Sequence, residues 1–253
     1  MDKLFKCFAN IVKTVLCENL SDDQIQKILD KIPDTYCKDQ YVGCVSEILS
    51  ESPDEDFPIR KELEGLGGAP VKFSRGVLIV LESPNKAEFR KVGDEYESQG
   101  PARHCTGCRF REYWSRISEG KFGEMWKDYA IFLINAVQYQ CSLAHAGRDV
   151  PKGTKDVVFC KCMERPKIVD SLRSRIDDVR NLCDDLILVN ACTRDCNGEG
   201  YKAVSNVLLA YKEKGHRVFG TTHPCGWQCP RNRVLMELDN PDTLPLSRSC
   251  QCK

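Results

Sequence analysis

The stretch GVLIVLESPNK, residues 76–86, decides how the chain is read. An unbroken apolar run from 76 to 81 gives way at once to Glu82, Ser83, Pro84, Asn85 and Lys86. A short continuous apolar run bounded by turn residues suits a strand buried on both faces. The same pattern returns in YAIFLINAV at 129–137, DLILVN at 185–190 and HRVFGTT at 216–222. Helical stretches are predicted between the last three runs, at roughly 163–182 and 199–213, so strands alternate with helices. Strands joined through helices lie parallel. The expected fold is α/β, a three-layer α/β/α arrangement with a mostly parallel, four-stranded central sheet.

Working outward, the N-terminal side carries a different pattern. Leu4, Phe5, Phe8, Ile11, Val12, Val15 and Leu16 recur at three- and four-residue steps, the stripe of an amphipathic helix. Ser21 stands three residues before Gln24 and ahead of Ile25, Ile28 and Leu29, a capping-box start to a second helix that Pro33 ends. A third helix is predicted from about Tyr36 to Leu49, followed by the acidic, proline-bearing ESPDEDFP. Residues 1–50 are therefore expected to be a helical appendage, able to recruit a protein partner. Residues 51–70 are expected to be a linker, and 71–253 the α/β domain.

Composition narrows the function classes. The 253 residues hold 37 Lys plus Arg and 37 Asp plus Glu, a formal net charge of zero, so nucleic acid would have to be met by local basic patches. Lys6 and Lys13 interrupt the N-terminal apolar stretch, no small-residue cleavage site follows, and no run of about 18 apolar residues occurs. The expectation is a cytoplasmic protein with no membrane partner. The 16 cysteines are then expected as reduced thiols, some of them on metal.

In parallel sheets, ligands collect at the carboxyl ends of strands. Here those ends carry Glu82-Ser83-Pro84-Asn85, Asn135 and Thr222-His223-Pro224. Taken singly, each also has a structural reading: a turn, a strand-end asparagine satisfying backbone, a turn histidine before proline.

The order of the three segments resembles the uracil-DNA glycosylase superfamily. LIVLESPNK is similar to the family's Gly-Gln-Asp-Pro-Tyr-His and Gly-Glu-Ala-Pro-Gly segments, with Pro84 on the shared proline and Glu82 on the Gln/Glu position. FLINAV resembles the segment that holds the base-reading asparagine, at Asn135, and TTHPCGW resembles the His-Pro-Ser loop, at His223. The resemblance covers roughly residues 71–230. It implies a DNA glycosylase that flips a uracil or modified pyrimidine out of DNA and hydrolyses its N-glycosidic bond, in repair or antiviral defence. Glu82, Asn135 and His223 would be catalytic; Ser83, Pro84, Asn85, Trp227 and Arg231 would bind substrate, with Trp227 set to wedge the duplex. The chain departs from the family where Ser83 replaces a water-activating Asp, where Leu81 replaces a small residue, and where Asn85 replaces a Tyr that crowds C5 of the base. The last change makes room for a C5-modified pyrimidine such as the decorated cytosines of phage DNA. The first two allow the alternative of a non-catalytic, metal-stabilised nucleic-acid binding module.

Two further clusters bear on this. Cys105 and Cys108 form a Cys-x2-Cys knuckle suited to zinc or an iron–sulfur cluster when other cysteines complete it. Cys141, with Cys160 or Cys162, loosely resembles the downstream cluster ligands of some superfamily members; no cofactor is required for hydrolysis itself. Arg103, Arg109, Arg111 and Arg116 interleave with Phe110, Tyr113 and Trp114, suited either to phosphate contact and base stacking or to a solvated helix with a buried aromatic face. Cys225, close to His223, is also a candidate thiol nucleophile.

Overall fold

The computed structural model describes residues 2–50, 61–63, 72–122, 126–194 and 198–243. Helix α1 (Lys3–Leu16) buries the predicted apolar stripe, and α2 (Asp22–Leu29) starts at the capping box formed by Ser21 and Gln24. The third predicted helix is corrected. Gln40–Cys44 forms strand β1, with Gly43 at φ 111°, and only Val45–Ser50 is helical, as α3. Tyr41 and Val42 suit a half-buried pleat, and their cross-strand pairing outweighs the helical spacing read from the sequence.

The chain continues through β2 (Lys61–Glu62), β3 (Phe73–Leu81), a hairpin of β4 (Phe89–Val92) and β5 (Glu95–Ser98), and α4 (Cys105–Ser118). Then come β6 (Ala130–Asn135), α5 (Thr154–Met163), α6 (Pro166–Leu182), β7 (Cys183–Asn190), α7 (Glu199–Lys212), β8 (Arg217–Thr221) and β9 (Leu235–Glu237). Pro166 starts α6, because a ring without an N–H is accommodated in a first helical turn. Apart from 61–63, the expected linker lies outside the described residues.

The main sheet has seven strands in the order β2-β1-β6-β3-β7-β8-β9. The four predicted strands form its parallel middle, and the expected four-stranded sheet is extended by antiparallel edges, β1 and β2 on one side and β9 on the other. Alternation along β3 divides the core. Leu78 and Val80 face a layer with α1, α2, α5, α6 and α7, while Val77, Ile79 and Leu81 face α3 and α4. The three layers follow from that period of two.

The expected boundary at residue 50 does not separate two cores. Phe5 and Phe8 pack on Tyr139 at ring-centroid distances of 5.5 and 5.3 Å, and β1 hydrogen-bonds along β6. No helix among the described residues is long and apolar enough to cross a membrane.

Candidate functional site

Register brings the strand ends level. Leu81 pairs with Asn135 across β3 and β6, Val80 with Asn190 across β3 and β7, and Asn190 with Gly220 across β7 and β8. Glu82, Asn135 and His223 therefore reach one rim, and all three line a cavity of about 140 Å³. That is small beside the roughly 300–1,000 Å³ of a drug-sized site and fits a single small ring. Hollows of about 510 and 490 Å³ lie on the α1–α2 side and beside Arg175, but neither gathers the strand-end groups.

His223 opens a short 3₁₀ turn, Pro224–Gln228, and its Nδ1 accepts the backbone N–H of Cys225 at 3.3 Å. With Nδ1 as acceptor, the neutral ring carries its proton on Nε2. Burial, assisted by the charge of Lys155, lowers the His223 pKa to about 4, so the ring is neutral at physiological pH. Lys155, at the start of α5, was not anticipated from the sequence. Its Nζ lies 3.1 Å from Oε1 of Glu82, whose side chain is only 4 % exposed. A carboxylate, an ammonium group and a neutral N–H donor thus share one small cavity.

The Asn135 wall contains two more residues that the sequence did not single out. After Pro84, the 3₁₀ turn Lys86–Glu88 swings Glu88 back inward, with Asn85 Oδ1 accepting the Ala87 N–H at 3.1 Å. Glu88 is 3 % exposed; its Oε2 accepts from Asn135 Nδ2 at 3.0 Å and its Oε1 from the Ala102 N–H at 3.2 Å. Burial raises the Glu88 pKa to about 7 against these hydrogen bonds. Ala102 and His104 hold φ of 58° and 59°, a left-handed backbone that non-glycine residues seldom adopt and that here aims the Ala102 N–H at Glu88. Cys37, fully buried just before β1, lies 3.4 Å from Asn135 Nδ2 and 3.5 Å from Glu88 Oε2. From α6, Arg175 donates to the Asn135 and Ala136 carbonyls at 2.9 and 3.1 Å while pairing with Asp39, which fixes the strand end.

Other expected site residues fall elsewhere. Pro84 is buried at the cavity wall, Ser83 lines it, and Asn85 stands exposed at its rim. Trp227 is corrected: it is fully buried, donates Nε1–H to the Thr222 carbonyl at 3.0 Å and stacks near Trp114, so it packs the core and cannot wedge a duplex. Arg231 is exposed and does not line the cavity. Phe110, Tyr113 and Trp114 are buried too, so the aromatic face of α4 serves the core and not base stacking. Arg111 is buried and Arg109 pairs with Glu112 at 2.7 Å.

The cysteines expected on metal are not gathered. Cys105 sits 3.1 Å from Cys225, and Cys141 neighbours Cys162 in the core. Among the described residues, no group of three or more His, Cys, Asp or Glu is arranged to hold a metal ion, so the donor set fits neither zinc nor an iron–sulfur cluster. Burial pushes the Cys225 thiol up to about 11, the opposite of an activated nucleophile.

Beside the cavity, and sharing Asn85 with it, lies a cleft of about 760 Å³ lined by Lys86, Arg90, Lys91, His104 and Tyr96. Lys86 and Lys91 bring positive charge to it, while Arg90 is paired with Glu97 at 3.0 Å. Compared with protein-family models, with curated proteins and with solved structures, the chain gives no match.

Proposed function

We propose that the protein is a DNA glycosylase that hydrolyses the N-glycosidic bond of a flipped-out uracil or C5-modified pyrimidine. The observation that carries this is the convergence of Glu82, Asn135 and His223 in one ring-sized cavity at the carboxyl edge of the sheet, with the His223 proton held on Nε2. Cleavage of a glycosidic bond leaves negative charge on the base and positive charge on the sugar. A preorganised neutral donor stabilises the first. His223 Nε2–H fills that role at a base carbonyl, and at a pKa of about 4 it donates without becoming a competing cation. In this reading Glu82 orients the water and faces the developing sugar cation, and the ion pair with Lys155 supports the role by holding its carboxylate at the cavity.

Asn135 reads the edge of the base. A base stacked in a duplex cannot reach a cavity this enclosed, so the nucleotide must be extruded. The adjoining cleft supports the same reading, since Lys86 and Lys91 are suited to phosphates flanking the extruded nucleotide. The exposed Asn85 at the rim leaves room for a C5 substituent, as on the modified cytosines of phage DNA.

The test is release of free base, followed by mass spectrometry, from DNAs carrying uracil, thymine, hydroxymethylcytosine or glucosylated hydroxymethylcytosine. His223→Ala and Asn135→Ala are each expected to slow release by roughly 10²–10³-fold, the usual cost of removing one oriented transition-state donor. Tight DNA binding with no release from any substrate would replace the enzyme with a binding module on the same fold.

A further inference from the structure

Two thiols stand in contact where the start of α4 meets the turn that follows His223. Cys105, the first residue of α4, is exposed, and its Sγ lies 3.1 Å from Sγ of Cys225 in the 3₁₀ turn Pro224–Gln228. The two residues are 120 positions apart in the chain, so the packing of α4 on the turn, not local sequence, brings them together. Thr106 Oγ1 lies 3.0 Å from the same Cys225 sulfur and holds it against the start of α4.

Their surroundings give the two thiols different parts. Cys225 lines the cavity and is only partly exposed; burial raises its thiol to about 11, so at neutral pH it stays protonated and is a poor target for an oxidant. Cys105 is open to solvent, where a small oxidant reaches it. Once Cys105 is oxidised, Cys225 already stands beside it, and that proximity offsets the small fraction of thiolate. Cys141 and Cys162 are neighbours as well, but both are fully buried and out of reach of a dissolved oxidant.

We propose that Cys105 and Cys225 form a peroxide-responsive modification site, which closes to a reversible disulfide and fastens the His223 turn to α4. The Cys105 sulfur first attacks an oxygen of hydrogen peroxide. The O–O bond breaks, an S–O bond forms and water leaves; the sulfur gives up an electron pair and becomes a sulfenic acid while the peroxide is reduced. The Cys225 sulfur then attacks that of Cys105. The S–S bond forms, the S–O bond breaks, and the hydroxide departs as water with the Cys225 proton. Closure draws the sulfurs from 3.1 Å to about 2.0 Å. Because the backbone N–H of Cys225 is the donor to His223 Nδ1, the bond anchors the residue that orients the His223 ring. The chemistry is independent of whether the cavity excises a base.

The experiment treats the full chain, reduced and freed of reductant, with hydrogen peroxide, blocks the remaining thiols by alkylation and digests without reduction. Mass spectrometry should find the peptides joined through Cys105 and Cys225, and dithiothreitol should separate them again. Hydrogen exchange across residues 223–228 should slow at least about tenfold in the oxidised wild type, the scale of a typical disulfide's stabilisation, and should not respond to peroxide in Cys105→Ser. In Cys225→Ser, peroxide should leave Cys105 as a sulfenic acid that dimedone captures. No bond between Cys105 and Cys225, or Cys105 joined instead to Cys108, overturns the proposal on wild type alone and needs no variant to fold. A Cys105–Cys225 bond that leaves exchange at 223–228 unchanged overturns the fastening, and a folded Cys225→Ser without the dimedone adduct on Cys105 overturns the order of steps.

Discussion

Asn135 and Asn190 end strands on either side of β3, and in sequence FLIN and LILVN look alike. Their surroundings separate them. Asn190 donates to the Tyr201 carbonyl and Ser205 Oγ, both at 2.9 Å, and accepts from the Cys192 N–H at 3.1 Å, so it is a closed structural joint. Asn135 lines the cavity, and its buried Oδ1 has no hydrogen-bond partner. Glu88 and His223 shift in opposite senses, which gives a stability signature. Glu88, raised by burial from 4.5 to about 7, favours the fold while protonated; that contribution is whole below 4.5 and is lost as pH rises through 7. His223, lowered by burial from 6.5 to about 4, contributes stability that is whole above 6.5 and is lost as pH falls through 4. Between 4.5 and 6.5 the two oppose each other. Denaturant titrations across pH should therefore show a shallow profile for wild type. Glu88→Gln, which removes a dependence on the order of 3 kcal/mol, should gain stability steadily from pH 4 to 6.5. A profile for Glu88→Gln as shallow as that of wild type would refute the opposition.

At the scale of elements, the four parallel strands were legible because strands covered on both faces must be apolar throughout, and only such strands write an unbroken run. The edges were not. β1 carries Gly43 and a polar first residue, β2 is two residues long, and β9 is three, so none leaves a periodic trace. The site was legible where a residue ends one of the readable strands, as Glu82 and Asn135 do. Lys155, Glu88 and Cys37 lie on a helix start, a 3₁₀ turn and the approach to β1, and only tertiary packing brings the first two to the cavity and Cys37 against Asn135. Trp227 shows the converse error: a tryptophan beside a histidine loop reads as a probe for DNA, yet it is the floor on which that loop rests. Trp227→Ala should lower the free energy of unfolding by about 3–5 kcal/mol in urea titration, the cost of emptying a large aromatic site. The salt dependence of DNA binding, which reports phosphate contacts, should stay as it is.

At the scale of the molecule, the N-terminal residues are structural partners of the sheet. β1 covers the side of β6 that would otherwise be its border, and every residue of β6 is buried. A chain trimmed to begin at residue 71 would bare that flank as a long, wholly apolar, unpaired edge, a template for strand addition between chains. It is expected to elute as high-mass species by light scattering, while the full chain does not. The same trimming removes Cys37 and Asp39, so any monomer recovered would hold Asn135 without the thiol at its amide and without the counter-ion of Arg175. The first fifty residues thus act as a built-in guard against self-association, and the part of the chain that bears the cavity cannot be lent to another protein as a free-standing module.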